Sequence, residues 1–175
     1  MDDAAEAVAR VRAAGSQAND PVRQPYGLSA NCVDTDGVRF AVHQPPAASP
    51  GAGGVPSAAT GLAGRDGDLI YVTLEVADPA RTLAFYGAVL GWRSHPGRTP
   101  GGWQVEGTTP MIGVSGGHAE VARVPVWQVT DVAAAVGRVR AAGGTSTEPH
   151  QEPYGLIAEC TDDQGIRFSL TQPAS

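Results

Sequence analysis

The chain has 175 residues, a formal net charge of −6 and twelve basic residues, every one of them arginine. This acidic balance, without a basic cluster, argues against a nucleic-acid partner. No stretch approaches the roughly 18 apolar residues of a membrane span. The first residues are acidic rather than apolar, so we expect neither membrane association nor export, and a cytoplasmic location.

The predicted elements begin with a short amphipathic helix at Asp2–Ala14, which starts with acids and ends with arginines before Gly15. Two strands, Leu28–Val33 and Val38–Gln44, follow on either side of an Asp/Gly turn of the hairpin type. Residues 47–67 consist mainly of Ala, Pro, Gly and Ser and have no hydrophobic period. They are predicted to form a mobile linker.

Residues 68–175 are predicted to form two consecutive units, each with one strand, one helix and three further strands. In the first unit, Asp78 and Pro79 supply a helix N-cap and a first-turn proline, and Gly91 ends the helix. Its strands are predicted at Leu69–Val76, Trp92–His95, Trp103–Glu106 and Met111–Ser115. The second unit is predicted to have a helix at Asp131–Ala142 and strands at Val121–Val129, Thr145–Thr147, Leu156–Cys160 and Arg167–Gln172.

The N-terminal segment is an internal repeat of the C-terminal one. Aligning residues 3–46 with 131–174 without a gap gives identity at more than half of the positions. One structural unit therefore occurs at least twice, and its first copy lacks the leading strand. Cys32 and Cys160 fall at equivalent positions, which indicates duplication rather than pairing with each other. We expect both to be reduced, buried thiols.

The order of elements, together with Leu74–Trp92 and Asp162–Phe168, resembles the vicinal oxygen chelate superfamily of glyoxalases, bleomycin resistance proteins and extradiol dioxygenases. The segment Phe85-Tyr86-x-x-x-Leu90-Gly91-Trp92 is the most specific part. The resemblance implies an α+β fold in which paired βαβββ modules form a cup-shaped mixed sheet with helices outside. It covers residues 68–175. Residues 1–46 resemble an incomplete αβββ module, as if the first one and a quarter modules of a two-domain protein were missing.

Enzymes of this superfamily hold a divalent metal with one ligand from each of four strands in the cup. The resemblance places those ligands at Tyr71, Val124, Ser169 and within Met111–Ser115, where no imidazole, carboxylate or thiolate stands. We therefore expect no metal and no cofactor. The four histidines are expected at strand ends, turns or connecting segments, in surface or hydrogen-bonding roles; they are His43, His95, His118 and His150.

The same register predicts the lining of the cup, because alternate residues of a strand face the same way. It predicts aromatic and aliphatic walls with a few polar groups, which is typical of a small-molecule pocket. Either Trp103/Val105 or Gln104/Glu106 faces the cup, and the sequence leaves this open. Simpler roles are that Tyr71 fills the cup and that Arg167 pairs with Glu75 or Asp162. The predicted ligand-binding residues are Tyr71, Thr73, Glu75, Trp103, Met111, Val124, Val126, Gln128, Arg167 and Ser169.

These features lead to two hypotheses for function. The first is a metal-independent protein that binds a small organic molecule, such as an aromatic natural product or drug, as some members of this superfamily do. The alternative is a lyase or isomerase acting on a small oxo or hydroxy compound, with Glu75 as base and Arg167 as the partner of an oxyanion or carboxylate.

A homodimer is also expected. The incomplete N-terminal module exposes a strand edge, and exposed edges attract partners. Two N-terminal segments that meet about a twofold axis would imitate a complete pair of modules. The alternative is that this segment packs loosely on its own chain.

Overall fold

The computed structural model describes residues 3–46 and 65–174. Except for residues 65–67, the predicted linker lies outside these ranges. The N-terminal unit consists of a helix and a three-stranded antiparallel sheet in the order β1-β2-β3. Its elements are α1 (Ala4–Ala13), β1 (Val22–Gln24), β2 (Gly27–Val33) and β3 (Arg39–Gln44).

Two complete βαβββ modules follow. The elements of the first are β4 (Leu69–Glu75), α2 (Pro79–Leu90), β5 (Ser94–Pro96), β6 (Gly102–Val105) and β7 (Met111–Ser115). Those of the second are β8 (Ala122–Gln128), α3 (Val132–Ala141), β9 (Thr145–Ser146), β10 (His150–Glu152), β11 (Gly155–Thr161) and β12 (Arg167–Pro173).

The strands of these two modules form one mixed sheet, ordered β10-β11-β12-β8-β4-β7-β6-β5, with β9 beside β11. At its centre the first strands of the two modules, β4 and β8, run antiparallel. Each of them also pairs in parallel with the last strand of its own module. The α+β fold predicted from paired modules is confirmed, and the sheet remains open.

The helix boundaries follow from their capping residues. Asp3, Asp78 and Asp131 are the N-caps of α1, α2 and α3, and each carboxylate accepts backbone N–H groups of the first turn. The second helix ends at Gly91, whose left-handed φ of 72° is unstrained only for glycine. The caps at Asp78 and Gly91 lie where the sequence predicts them.

Strands β1 and β10 are equivalent in the two repeats, and neither was predicted from the sequence. Each follows a proline, Pro21 or Pro149, that interrupts the strand pairing with β2 or β11. Ahead of Pro149, β9 pairs with β11 through Cys160, and behind it β10 resumes the pairing through Gly155. Because proline has no N–H to donate to the neighbouring strand, it divides one strand into two short ones. Each of these is too short to show an alternation of polar and apolar residues.

The N-terminal unit shares a hydrophobic core with the first module. Val8 and Val11 of α1 belong to the same buried cluster as Phe85, Tyr86 and Val89 of α2. Burial of this extent excludes the loose packing considered above. The second module has a cluster of its own around α3 and β12.

Candidate functional site

The nine-stranded sheet has one face away from its helices, which we call the cup face. Tyr71, Thr73 and Glu75 lie on it because Leu74, between them, points into the core beneath α2. Strand pairing extends the face to the neighbouring strands, since Thr73 is opposite Val124 and Tyr71 is opposite Met111. The face also includes Val126, Gln128 and Ser169.

A cavity of about 310 Å³ lies on the half of this face that belongs to the second module. We call it the C-terminal cavity. Four predicted ligand-binding residues line it, namely Glu75, Val124, Arg167 and Ser169. Tyr71, Thr73, Met111, Val126 and Gln128 share the cup face but do not line this cavity.

The prediction for Trp103 is wrong. Trp103 is paired with Val114 and packs against the core cluster, so it lies on the helix side of the sheet. Gln104 lies on the cup face instead, opposite Gly113. The hydroxyl of Tyr71 donates to Gln104 Oε1 at 3.1 Å. In this four-residue strand, Trp103 and Val105 lie on one face and Gln104 on the other. The alternation alone could not show which of the two faces points to the cup.

Tyr71 occupies the half of the cup face that belongs to the first module. A Cβ atom at Gly113 would lie 1.9 Å from the Tyr71 hydroxyl, so the phenol ring lies directly over the backbone of β7. Burial, and to a lesser extent Tyr154, raises the pKa of Tyr71. The phenol therefore stays protonated and acts as a hydrogen-bond donor, in agreement with the role of filling the cup.

Glu75 is the centre of the polar groups in the C-terminal cavity. Its Oε2 atom accepts from the guanidinium of Arg167, which confirms the predicted ion pair. His118 Nδ1 lies 3.6 Å from the same oxygen, and His118 Nε2 is 2.9 Å from Ser115 Oγ. The Glu75 side chain is only 15% exposed. This carboxylate thus lies between a guanidinium and an imidazole.

His118 and one wall of the cavity were not predicted as part of the site. The loop after β7 brings His118 back over Glu75, because its backbone N–H donates to Val76 O. The added wall comes from β9 and β11 and consists of Thr145, Ser146, Thr147, Glu159 and Thr161. Glu159 lies on the cup face because it is paired with Ser169. Counting residues back from the turn between β11 and β12 would have predicted this pairing.

The cavity is more polar than the sequence suggests. Phe168 and Cys160 border the cavity, but they belong to the opposite face of the sheet, where Cys160 is part of the buried cluster around α3 and Phe168 packs against it. Burial, and then the Glu159 carboxylate, raises the pKa of the Cys160 thiol. Burial likewise raises the pKa of Cys32. Both cysteines are free and buried, as expected, and remain neutral.

The donor set of the cup face does not fit a divalent metal. Over the described ranges, no three His, Cys, Asp or Glu side chains approach closely enough to hold an ion. At the positions implied for ligands, Tyr71 donates to an amide, Val124 is aliphatic and Ser169 offers a hydroxyl. The nearby Glu75 is engaged with Arg167. Zinc, iron and manganese sites require several carboxylate, imidazole or thiolate donors together.

Residues 71–171 match the family model of the glyoxalase-like domain. Together with the paired-module fold, this match shows that the chain belongs to the glyoxalase-like family of the vicinal oxygen chelate superfamily. A search of curated proteins returned no match.

The chain is also similar to solved structures. The Mn(II)-bound glyoxalase from Novosphingobium aromaticivorans is 16% identical with a TM-score of 0.68; the match covers 99% of this chain and 61% of that one. A hypothetical protein from Bacillus halodurans C-125 is 13% identical with a TM-score of 0.50, covering 62% and 95%. Methylmalonyl-CoA epimerase from Mycobacterium tuberculosis is 17% identical with a TM-score of 0.46, covering 61% and 88%. At these identities the likeness concerns the fold alone.

None of the helices in the described ranges is long and apolar enough to cross a lipid bilayer.

Proposed function

We propose that this protein binds a small organic molecule in the C-terminal cavity without a metal ion. The observation that carries the proposal is the cup face itself, where an open cavity adjoins side chains that offer no metal-binding set. The cavity volume of about 310 Å³ lies at the lower end of the range for small-molecule sites.

The lining defines the class of ligand. Val124 supplies apolar surface, while Ser169, Thr147 and the Glu75–Arg167 pair supply hydrogen-bonding groups. This combination suits a small, partly planar molecule with one or two polar substituents, such as an aromatic natural product.

The test is a thermal-shift screen of the full chain against small uncharged aromatic compounds. A ligand at about 100 times its Kd stabilises the folded state by about 2.7 kcal/mol, which corresponds to a rise in Tm of roughly 5–10 °C. In the variant Ser169→Leu, a larger side chain fills the cavity, so the shift should disappear. Ala41→Leu makes the same kind of change at the equivalent position of the N-terminal unit and should leave the shift intact.

Two outcomes would contradict the proposal. One is an equal shift in Ser169→Leu and the unaltered chain, which would place the ligand elsewhere. The other is stoichiometric manganese, zinc, nickel or iron in the purified protein, measured by mass spectrometry, because it would show that the cup holds a metal after all.

One observation favours a second candidate function, a lyase or isomerase acting on a small oxo or hydroxy compound. Glu75 lies in the cavity wall between Arg167 and His118, an arrangement suited to removing a proton and stabilising the resulting anion. Exchange of the α-proton of such compounds in D₂O, followed by proton NMR, would reveal this activity. Glu75→Gln should then slow the exchange by about 100-fold or more, while a bound ligand is retained.

A further inference from the structure

The N-terminal unit has a cavity of its own, of about 480 Å³. We call it the N-terminal cavity. It lies at the same end of β2 and β3 as the C-terminal cavity does at β11 and β12. Its lining includes Gln17, Asn19, Asn31, Cys32, Arg39 and Phe40.

The two cavities are copies of each other. Arg39 is equivalent to Arg167, since 167 − 39 = 128, which is the offset of the internal repeat. By the same offset, Asn31 corresponds to Glu159 and Asn19 to Thr147. The N-terminal cavity is therefore a repeat-derived site rather than an accident of surface shape.

The two copies differ in charge. The C-terminal cavity contains the carboxylates of Glu75 and Glu159 with the guanidinium of Arg167, a net charge of −1. The N-terminal cavity contains the guanidinium of Arg39 and no carboxylate among its lining residues. Amide side chains stand where the second copy has Glu159 and Thr147.

Arg167 shows what an arginine at this position does when an anion is within reach. It forms an ion pair with Glu75, which β4 contributes from across the cavity. In residues 3–46 and 65–174, no carboxylate occupies the corresponding place beside Arg39, and no ion pair of Arg39 is formed. The N-terminal cavity thus presents an uncompensated guanidinium together with amide donors.

We infer that the N-terminal cavity binds the carboxylate of a small organic acid, with Arg39 as the charged donor and Asn19 and Asn31 as neutral donors. An arginine fork matches the two oxygens of a carboxylate. A single positive charge balances a monoanion but not a phosphate dianion. The volume of about 480 Å³ admits an organic body as well as the acid group.

The inference is tested by titrating the isotopically labelled full chain with benzoate and following its backbone amide signals by NMR. We expect shifts confined to residues 17–19, 31–33 and 39–41, with a Kd of roughly 1–10 mM. Arg39→Gln should weaken binding by about tenfold or more. Arg167→Gln is the matched control and should leave the titration of these residues unchanged.

Three results would overturn the inference. The first is that benzamide, which has the same ring without the charge, shifts these residues as benzoate does. The second is that inorganic phosphate binds as tightly as benzoate, because that would indicate a general anion site. The third is that Arg39→Gln changes the molecular mass measured by light scattering, since this would mean that Arg39 contacts another subunit. This titration is independent of the C-terminal cavity, which is tested separately by the thermal shift of Ser169→Leu.

Discussion

Asp34 and Asp162 occupy equivalent turns, but only Asp34 connects two parts of the molecule. In both, Oδ1 accepts two backbone N–H groups of the turn. In Asp34, Oδ2 also accepts from the hydroxyl of Tyr86 at 2.9 Å and from Arg123 at 2.6 Å. The Asp34 side chain is 1% exposed. One carboxylate therefore joins the N-terminal unit to α2 and β8 at once.

Asp34→Asn should destabilise the protein by about 3 kcal/mol, because it leaves the partly buried Arg123 without its charge partner. Asp162→Asn changes the same turn but breaks no ion pair, and should cost less than about 1 kcal/mol. Urea denaturation of both variants measures the difference. Equal losses would mean that the turn, and not the contact between units, carries the effect.

The candidate site was predictable residue by residue only where strand parity was unambiguous. The register that the family resemblance implies placed Tyr71, Thr73 and Glu75 on the cup face. Glu75 was one of the two partners expected for Arg167. Trp103 was assigned to the wrong face because its strand offers no clear alternation. His118 was missed as part of the site since the path of its loop depends on tertiary hydrogen bonds to Ala77 and Val76.

At the scale of elements, glycines mark the places where the two repeats need the same backbone. Gly27 and Gly155 open equivalent strands with φ of 131° and 140°. A Cβ atom at either position would lie 2.1 Å from a backbone oxygen of the neighbouring strand. By contrast, Gly137 in α3 has open space around it, and its equivalent in α1 is Ala9.

Gly155→Ala should destabilise the protein by about 2 kcal/mol or more, because both the φ angle and the adjacent carbonyl exclude a side chain. Gly137→Ala should instead stabilise it by about 0.5–1 kcal/mol, the usual gain inside a helix. Thermal unfolding of the two variants compares these effects. A stabilising Gly155→Ala would show that the strand tolerates another conformation.

At the scale of the whole molecule, the free edge of β3 distinguishes the two repeats. In the second copy, β12 pairs in parallel with β8, and Thr171 O accepts from Val129 on that side. The equivalent residue of β3 is His43, so His43 and Ala41 direct their backbone groups to an edge that no strand of the described ranges occupies. Such an edge can pair with another chain.

We expect a homodimer in solution that pairs two β3 edges. Ala41→Pro removes one N–H on the free side and should leave the pairing with β2 intact. Light scattering should then give twice the chain mass for the unaltered protein and a single chain mass for the variant. Deleting residues 1–60 would be a poorer test, because it would also expose Phe85 and Tyr86 in the shared core. A monomer at every concentration of the unaltered protein would contradict the expectation.

The sequence by itself determined the internal repeat, the module order, the caps of α2 and the absence of a metal-binding donor set at the positions the family resemblance implies. These depend on residue identity and local periodicity, which a single chain displays directly. Only the tertiary structure decided how the N-terminal unit packs, which residues complete the C-terminal cavity, and that the same arginine is paired in one copy and unpaired in the other. Those outcomes depend on contacts between residues far apart in sequence, such as Asp34 with Arg123, and no local pattern encodes them.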